Sequence, residues 1–591
     1  MSNLAAPSAA ALPLRWRGFR PAELLALLFF SVVMALPILF LLVGSFNTAP
    51  PGQPSAYGVG NWVRAFSDPQ TMSALWMSFL FSVVRLIPSL TLSVLVAWLI
   101  ARTDMPGGHT IEVLCWFAFF VPDFPLTLAW ILLLDPQFGF LNTLATALPF
   151  VSGPLFNPYS FWGIVWVHLG TGGIWFNVML LTPLFRRLGA TLEEAARVAG
   201  ANTFTTLWRV TFPVLSPMIL AIAVLSFIKG LESFNTELLL GLPAGIYVYG
   251  TRIFDYLRQE PPAYGEATAL GSVFLLVLAV LAFVYRRYFE GNKKFTVVTG
   301  QGYSTLRVKL GNWRYVALGG FILWFVVMMV LPLTFLVIGS FMRRYGFFNI
   351  SSPFTLAHWQ NLLNDPIFLG SLQNSLIIAS ATALMGVLLY SSVGYLLASP
   401  KPLRTRTALE FFCWLPWVIP GILMSLGLLW IFLATPLRTV LYGTVWGIAL
   451  ALTIQDSPVS TQAFKSAFLQ LGPDLEEAAR VAGAPWRYTY MRILLPLVAP
   501  VAVTVAMLNF GSALTSISTP VLLYSAQSRP LSILLLEYSY TGELERAAAL
   551  GLLITAIICV MMLVGRRFGL KMSNPERIAA PKAADGETQK R

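Results

Sequence analysis

Two stretches of this sequence are identical: Glu193-Glu194-Ala195-Ala196-Arg197-Val198-Ala199-Gly200-Ala201 and Glu476-Glu477-Ala478-Ala479-Arg480-Val481-Ala482-Gly483-Ala484. The residue types suit a contact surface better than a reaction centre. Thr191 with Glu194, and Asp474 with Glu477, stand at the spacing of a capping box, in which two side chains satisfy the unpaired N–H groups of a helix start. Gly200 and Gly483 are placed to end that helix in a left-handed turn. Small Ala195, Ala196, Ala478 and Ala479 leave its surface shallow enough for another protein to approach closely. Glu193 to Arg197 and Glu476 to Arg480 are expected as i,i+4 pairs, worth about 0.2–0.5 kcal/mol each.

Beyond the glycines, Pro485 suits the first turn of a second short helix. Pro213 and Pro496 begin long apolar segments, where a missing N–H costs little. Each copy thus reads as an exposed elbow, helix then glycine then helix, joined directly to a hydrophobic helix.

Catalysis finds little support. The three histidines, His109, His168 and His358, are scattered, and neither a His-Glu-x-x-His motif nor a G-x-x-x-x-G-K-[ST] phosphate loop occurs. No enzyme activity, no metal site and no cofactor of its own are expected, and any nucleotide hydrolysis would fall to a partner. The remaining chemistry lies in ionisable or amide side chains within apolar runs, which mark solute pathways because they are costly there. Asp123, inside Val121-Pro122-Asp123-Phe124-Pro125, where two prolines are expected to break the third helix, His168, Asn177 and Asp456 are the candidates. His168 and Asn177, nine residues apart, are not expected on one helical face, and His168 suits a bond to a neighbouring helix better than a solute contact. Lys229 and Glu232 are expected to pair with each other, and Gln455 accompanies Asp456.

The elements holding these residues are set by composition. Of 591 residues 57% are hydrophobic and 11% charged, with a mean hydropathy of +0.72, well above the roughly 45–50% apolar content of soluble domains. Runs of about 20 apolar residues cross a bilayer as helices, because backbone groups there must be satisfied within the segment. Twelve such runs are expected, among them 111–134, 160–183, 409–433 and 440–463. The net charge of +13 does not indicate nucleic acid: Arg15, Arg17 and Arg20, Arg186 and Arg187, Arg286 and Arg287, and Arg566 and Arg567 flank apolar runs in a positive-inside pattern that puts both termini in the cytoplasm. Arg343 and Arg344 are the one pair on the wrong side. Cys115, Cys413 and Cys559 lie in apolar runs and are expected to be inert thiols.

The sequence also repeats itself at an offset of about 283 to 298 residues. Leu36-Pro37 and Gly44-Ser45-Phe46 match Leu331-Pro332 and Gly339-Ser340-Phe341, Asp68-Pro69 matches Asp365-Pro366, and Cys115-Trp116 matches Cys413-Trp414. The fold expected is an all-α polytopic membrane protein of two parallel six-helix repeats. It divides into a cytoplasmic tail (1–20), a first lobe (21–288), a cytoplasmic linker (289–313), a second lobe (314–568) and a polar cytoplasmic tail (569–591). The Ala/Pro-rich start before Leu14 and the tail after about Met572 are expected to be disordered.

With that repeat in place, the elbows resemble the cytoplasmic loop of binding-protein-dependent ABC importer permeases, whose pattern is Glu-Ala-Ala, three residues, Gly, nine residues, then Ile-x-Leu-Pro. The second copy reads Glu477-Ala478-Ala479, Gly483, Ile493, Leu495, Pro496; the first reads Glu194-Ala195-Ala196, Gly200, Val210, Phe212, Pro213. The resemblance implies an inner-membrane permease whose two elbows dock on two copies of a cytoplasmic ABC ATPase, with ATP used by that partner and solute delivered by a periplasmic binding protein. Leu242 to Tyr247, Tyr264 to Leu270 and Phe295 to Gly300 look most like the iron(III) members. Thiamine and phosphonate permeases are the nearest alternatives, and a twelve-helix secondary transporter driven by an ion gradient is the rival class.

Overall fold

The computed structural model describes residues 20–49, 54–188, 190–291, 307–398 and 404–567. Most of the expected tails and linker residues 292–306 lie outside the described residues. Among the described residues the chain is helical throughout, with extended pairing confined to three isolated bridges.

Among the described residues, seven helices are long and apolar enough to cross a membrane: Leu24–Phe46, Pro69–Arg102, Thr203–Leu240, Tyr264–Leu281, Trp313–Phe341, Pro366–Ala398 and Leu544–Val564. Leu25, Ile87, Leu323 and Leu563 on these helices are exposed, as lipid-facing positions require. The chain is an all-α, multi-pass membrane protein.

Four further segments are helix pairs bent at a short break: Gly108–Phe120 with Asp123–Leu134 (92°), Phe161–Gly170 with Gly172–Arg186 (44°), Arg406–Trp417 with Gly421–Ala434 (109°), and Trp486–Leu497 with Ala499–Thr515 (74°). The break expected from Pro122 and Pro125 within 111–134 is present, and the run expected at 409–433 is bent in the same way. Pro122 and Pro420, both extended, stand at the breaks; a proline supplies no N–H to continue the ladder. The run expected at 440–463 is likewise two helices, Val445–Gln455 and Ser457–Leu471, meeting at Asp456.

The bent-off helices carry the contact between the halves. Asp123–Leu134 is buried along almost its whole length and packs against Leu331–Phe341 and Leu544–Arg567. Its counterpart Gly421–Ala434, also largely buried, packs against Arg20–Phe46. The first span of each half is thus held by the other half. The approach is close enough that a Cβ at Gly427 would come within 2.6 Å of the Pro37 carbonyl oxygen.

Candidate functional site

Both elbows fold as the glycine pattern requires. Helix Ala190–Val198 ends at Gly200, φ +83°, and helix Asp474–Val481 at Gly483, φ +75°. In the first, Gly200 N–H donates to Arg197 O and Ala201 N–H to Ala196 O, each at 2.9 Å. In the second, Gly483 N–H donates to Arg480 O at 2.9 Å and Ala484 N–H to Ala479 O at 3.0 Å. These paired bonds are the Schellman closure of a helix. A Cβ built on either glycine would meet no atom of this chain, so the turn faces open space.

The next turn repeats as well. Leu207–Thr211 and Thr489–Leu494 are π-helical and end on i→i−5 bonds, Phe212 N–H to Leu207 O and Leu495 N–H to Tyr490 O. The residue that follows each is a proline, Pro213 or Pro496, and a third π segment, Val326–Val330, precedes Pro332 in the same way. Proline disturbs the i→i−4 ladder on its N-terminal side, and one wide turn re-pairs the carbonyls.

Glu194, Ala195, Glu477 and Ala478 are exposed, as are Gly200, Gly483, Pro213 and Pro496; Ala196 is half-buried and Ala479 buried. Beside them Val198 and Val481 are 89% and 90% exposed, and Phe204, Trp208, Trp486 and Met491 are exposed too. Such apolar exposure next to a polar helix is a partner-sized surface.

Glu193 and Glu476 do something else. Glu193 is buried and pairs with Arg102 of helix Pro69–Arg102, not with Arg197; its Oε1 also accepts from Thr211 Oγ1 at 2.8 Å. Glu476 accepts from the hydroxyl of Tyr395. The expected i,i+4 pair at Glu193 is therefore corrected: a desolvated carboxylate takes the buried guanidinium of Arg102 over the half-buried one of Arg197. The capping box expected at Asp474 is also absent, because Pro473 occupies the N-cap one residue earlier and makes no side-chain cap bond. The Thr191 side chain lies outside what the structure describes. Arg102 and Tyr395 could not be read from sequence, since nothing local links residues 91 and 81 positions apart.

The four pathway candidates converge. Asp123, His168, Asn177 and Asp456 all line one cavity of about 600 Å³ between the halves, with Arg85, Lys229, Glu232, Trp417 and Gln455. Asp123 Oδ1 accepts from Gly172 N–H at 3.0 Å, Ser226 Oγ donates to Asn177 Oδ1 at 3.0 Å, and Ser512 Oγ donates to Asp456 Oδ1 at 3.0 Å. His168 Nε2 lies 2.8 Å from Glu237 Oε1, and Arg85 Nη1 lies 3.1 Å from His168 Nδ1. His168 and Asn177 reach one space because the helix between them breaks at Thr171, a bend that regular periodicity does not anticipate. Lys229 Nζ donates to Glu232 Oε2 at 2.7 Å as expected, and this pair too faces the cavity. Among the described residues no group of three or more His, Cys, Asp or Glu side chains is arranged to hold a metal ion.

Residues 390–574 match the family described as the binding-protein-dependent transport system inner membrane component. A Sinorhizobium fredii protein named as an ABC transporter permease is 28% identical over 72% of this chain and 76% of its own length. Proteins named as ferric transport system permeases, from Haemophilus influenzae and Actinobacillus pleuropneumoniae, are each 26% identical, over 60% and 66% of this chain. The chain spans about half, 55%, of the length of each of these two.

Proposed function

We propose that this chain, whose residues 390–574 match the inner membrane component of binding-protein-dependent transport systems, is the permease of an ATP-driven importer, holding the translocation path for a small solute. The carrying observation is the twofold elbow: the same Schellman turn, π segment and proline, with the same residues exposed, at equivalent places in both halves. Two copies of a separate ATPase subunit dock on the two elbows, and a periplasmic binding protein delivers the solute. Both termini face the cytoplasm, no cofactor is bound by this chain, and ATP is consumed by the partner.

The path runs through the cavity between the halves. Its walls come from helices that bend at Pro122, Thr171 and Asp456, so a change in how the halves meet changes its access. We assign iron(III) as the cargo. The two ferric relatives and the carboxylates of Asp123, Glu232 and Asp456 along one cavity support this. Scattered carboxylates suit a passage that must release its cation. A phosphonate or thiamine cargo is the second reading, and Arg85 and Lys229 in the same walls favour the phosphonate.

Co-purification tests the first part. An ATPase subunit should be retained by the intact chain and lost from the Gly200→Trp, Gly483→Trp double variant; retention by both would remove the elbows from the docking role. For cargo, uptake of labelled iron(III) against labelled phosphonate in the reconstituted system decides between the two.

A further inference from the structure

The end of the segment joining the halves is stitched to the end of helix Pro69–Arg102. Val308 N–H donates to Arg102 O at 2.7 Å and Asp104 N–H donates to Val308 O at 3.1 Å, forming a one-residue parallel bridge between Thr103 and Val308. Leu310 N–H donates to Asp104 Oδ1 at 2.8 Å, and Arg314 Nη1 lies 3.7 Å from Asp104 Oδ2. Arg314 belongs to helix Trp313–Phe325, which opens the second half.

Arg102 continues the connection. Its Nη1 donates to Leu188 O at 3.2 Å, ahead of the elbow helix, and its Nη2 pairs with Glu193 within that helix. Glu193 in turn accepts from Thr211 in the π segment. The side chains of Arg102 and Glu193 are 1% and 6% exposed. An ion pair so buried binds its partners strictly, because separating them strands a desolvated charge.

The second elbow is held differently. Glu476 accepts from the Tyr395 hydroxyl, Trp486 Nε1 donates to the same hydroxyl at 3.3 Å, and the Tyr395 ring lies 5.4–6.2 Å from the rings of Phe468, Trp486 and Tyr490. Here the elbow carboxylate is held by one hydroxyl within an aromatic cluster, with no guanidinium in the role that Arg102 has at the first elbow.

We propose that Arg102 is a positioning residue that makes the first elbow, the end of helix Pro69–Arg102 and residues 308–314 one mechanical unit, so that displacement of the first elbow also drags the start of the second half. At the second elbow the described hold runs instead through Tyr395 of helix Pro366–Ala398. The inference rests on the elbows being the parts that a partner moves, but the unit itself exists in the isolated chain and is measurable there.

Hydrogen exchange of the full chain in lipid nanodiscs, without any partner, tests it. Arg102→Met should speed exchange at residues 195–201, Val308 and Leu310 together, on the order of tenfold, and leave 478–484 unchanged. Tyr395→Phe should speed 478–484 and leave Val308 and Leu310 unchanged. The charge swap Arg102→Glu with Glu193→Arg should restore protection in both the elbow and the linker. If Arg102→Met does not insert, Glu193→Gln carries the same comparison. Unchanged exchange at Val308 and Leu310 in the variant with the opened first elbow, or their exposure by Tyr395→Phe, overturns the proposal. Neither result depends on whether an ATPase binds, which co-purification measures separately.

Discussion

The Lys229 ammonium lies 5.3 Å from the centroid of the Trp417 ring, so a cation of the first half rests on an aromatic face of the second across the wall of the cavity. The same ammonium donates to Glu232. With the Lys229 side chain 47% exposed, each contact is weak, about 0.5–1 kcal/mol for the cation–π contact and about 0–1 kcal/mol for the ion pair. The one of these contacts that joins the halves, Lys229 on Trp417, is thus weak enough to be exchanged if the halves part as the proposed importer requires.

Trp417→Ala should therefore leave the thermal stability of the purified chain within about 1–3 °C of the parent, since a loss near 1 kcal/mol moves the midpoint of a large protein only slightly. Uptake should fall several-fold, because the cavity wall is altered. A large drop in midpoint with unchanged uptake would make the contact structural alone.

Replacing Gly200 and Gly483 separates two effects. Both adopt positive φ, where a side chain costs about 1–2 kcal/mol per site, yet neither has neighbours that a Cβ would strike. The double Ala variant should insert normally and retain part of its transport; the double Trp variant should insert equally and transport nothing. Full transport by the Trp variant, measured in membranes with matched protein levels, would contradict docking at this turn.

Removing one member of the buried ion pair at the first elbow should cost more than removing both. Glu193→Leu strands the Arg102 guanidinium, at about 3–5 kcal/mol, whereas the Glu193→Leu, Arg102→Met double variant should recover most of that loss. Denaturation midpoints of the four proteins of this cycle test it, and additive losses would mean that the two side chains are not coupled.

Glu237 gives a fourth test. Its side chain is fully buried against His168 and its Oε2 accepts from Ser233 Oγ at 2.6 Å, while Arg85 Nη1 lies 3.1–3.2 Å from the two ring nitrogens of the same histidine. Glu237→Leu should destabilise by about 3–5 kcal/mol, because it leaves Arg85 and His168 without their carboxylate. Glu237→Gln, which keeps an acceptor, should lose clearly less. Equal losses would show that packing rather than charge sets this corner of the cavity.

Much of this was legible from residue types. Long apolar runs gave the spans, and the repeated Glu-Glu-Ala-Ala-Arg-Val-Ala-Gly-Ala gave both elbows with their positive-φ glycines, because these are local properties. What sequence concealed were long-range pairings and breaks. Arg102 reaches Glu193 across 91 positions, Pro473 displaces the helix start by one residue, and the sharpness of the bends, of which only the one at Pro122 is signalled by its prolines, turns spans into walls and struts. Asp123, His168, Asn177 and Asp456 were visible as costly residues, but their convergence is a product of those bends.

The central claim is that force reaches this chain from nucleotide hydrolysed elsewhere, through two elbows. It is tested most directly by solute uptake into proteoliposomes holding the chain, its co-purified ATPase and the loaded binding protein. Uptake should require internal ATP and should vanish when the ATPase is omitted. Uptake by the chain alone, driven by an ion gradient without nucleotide, would contradict it.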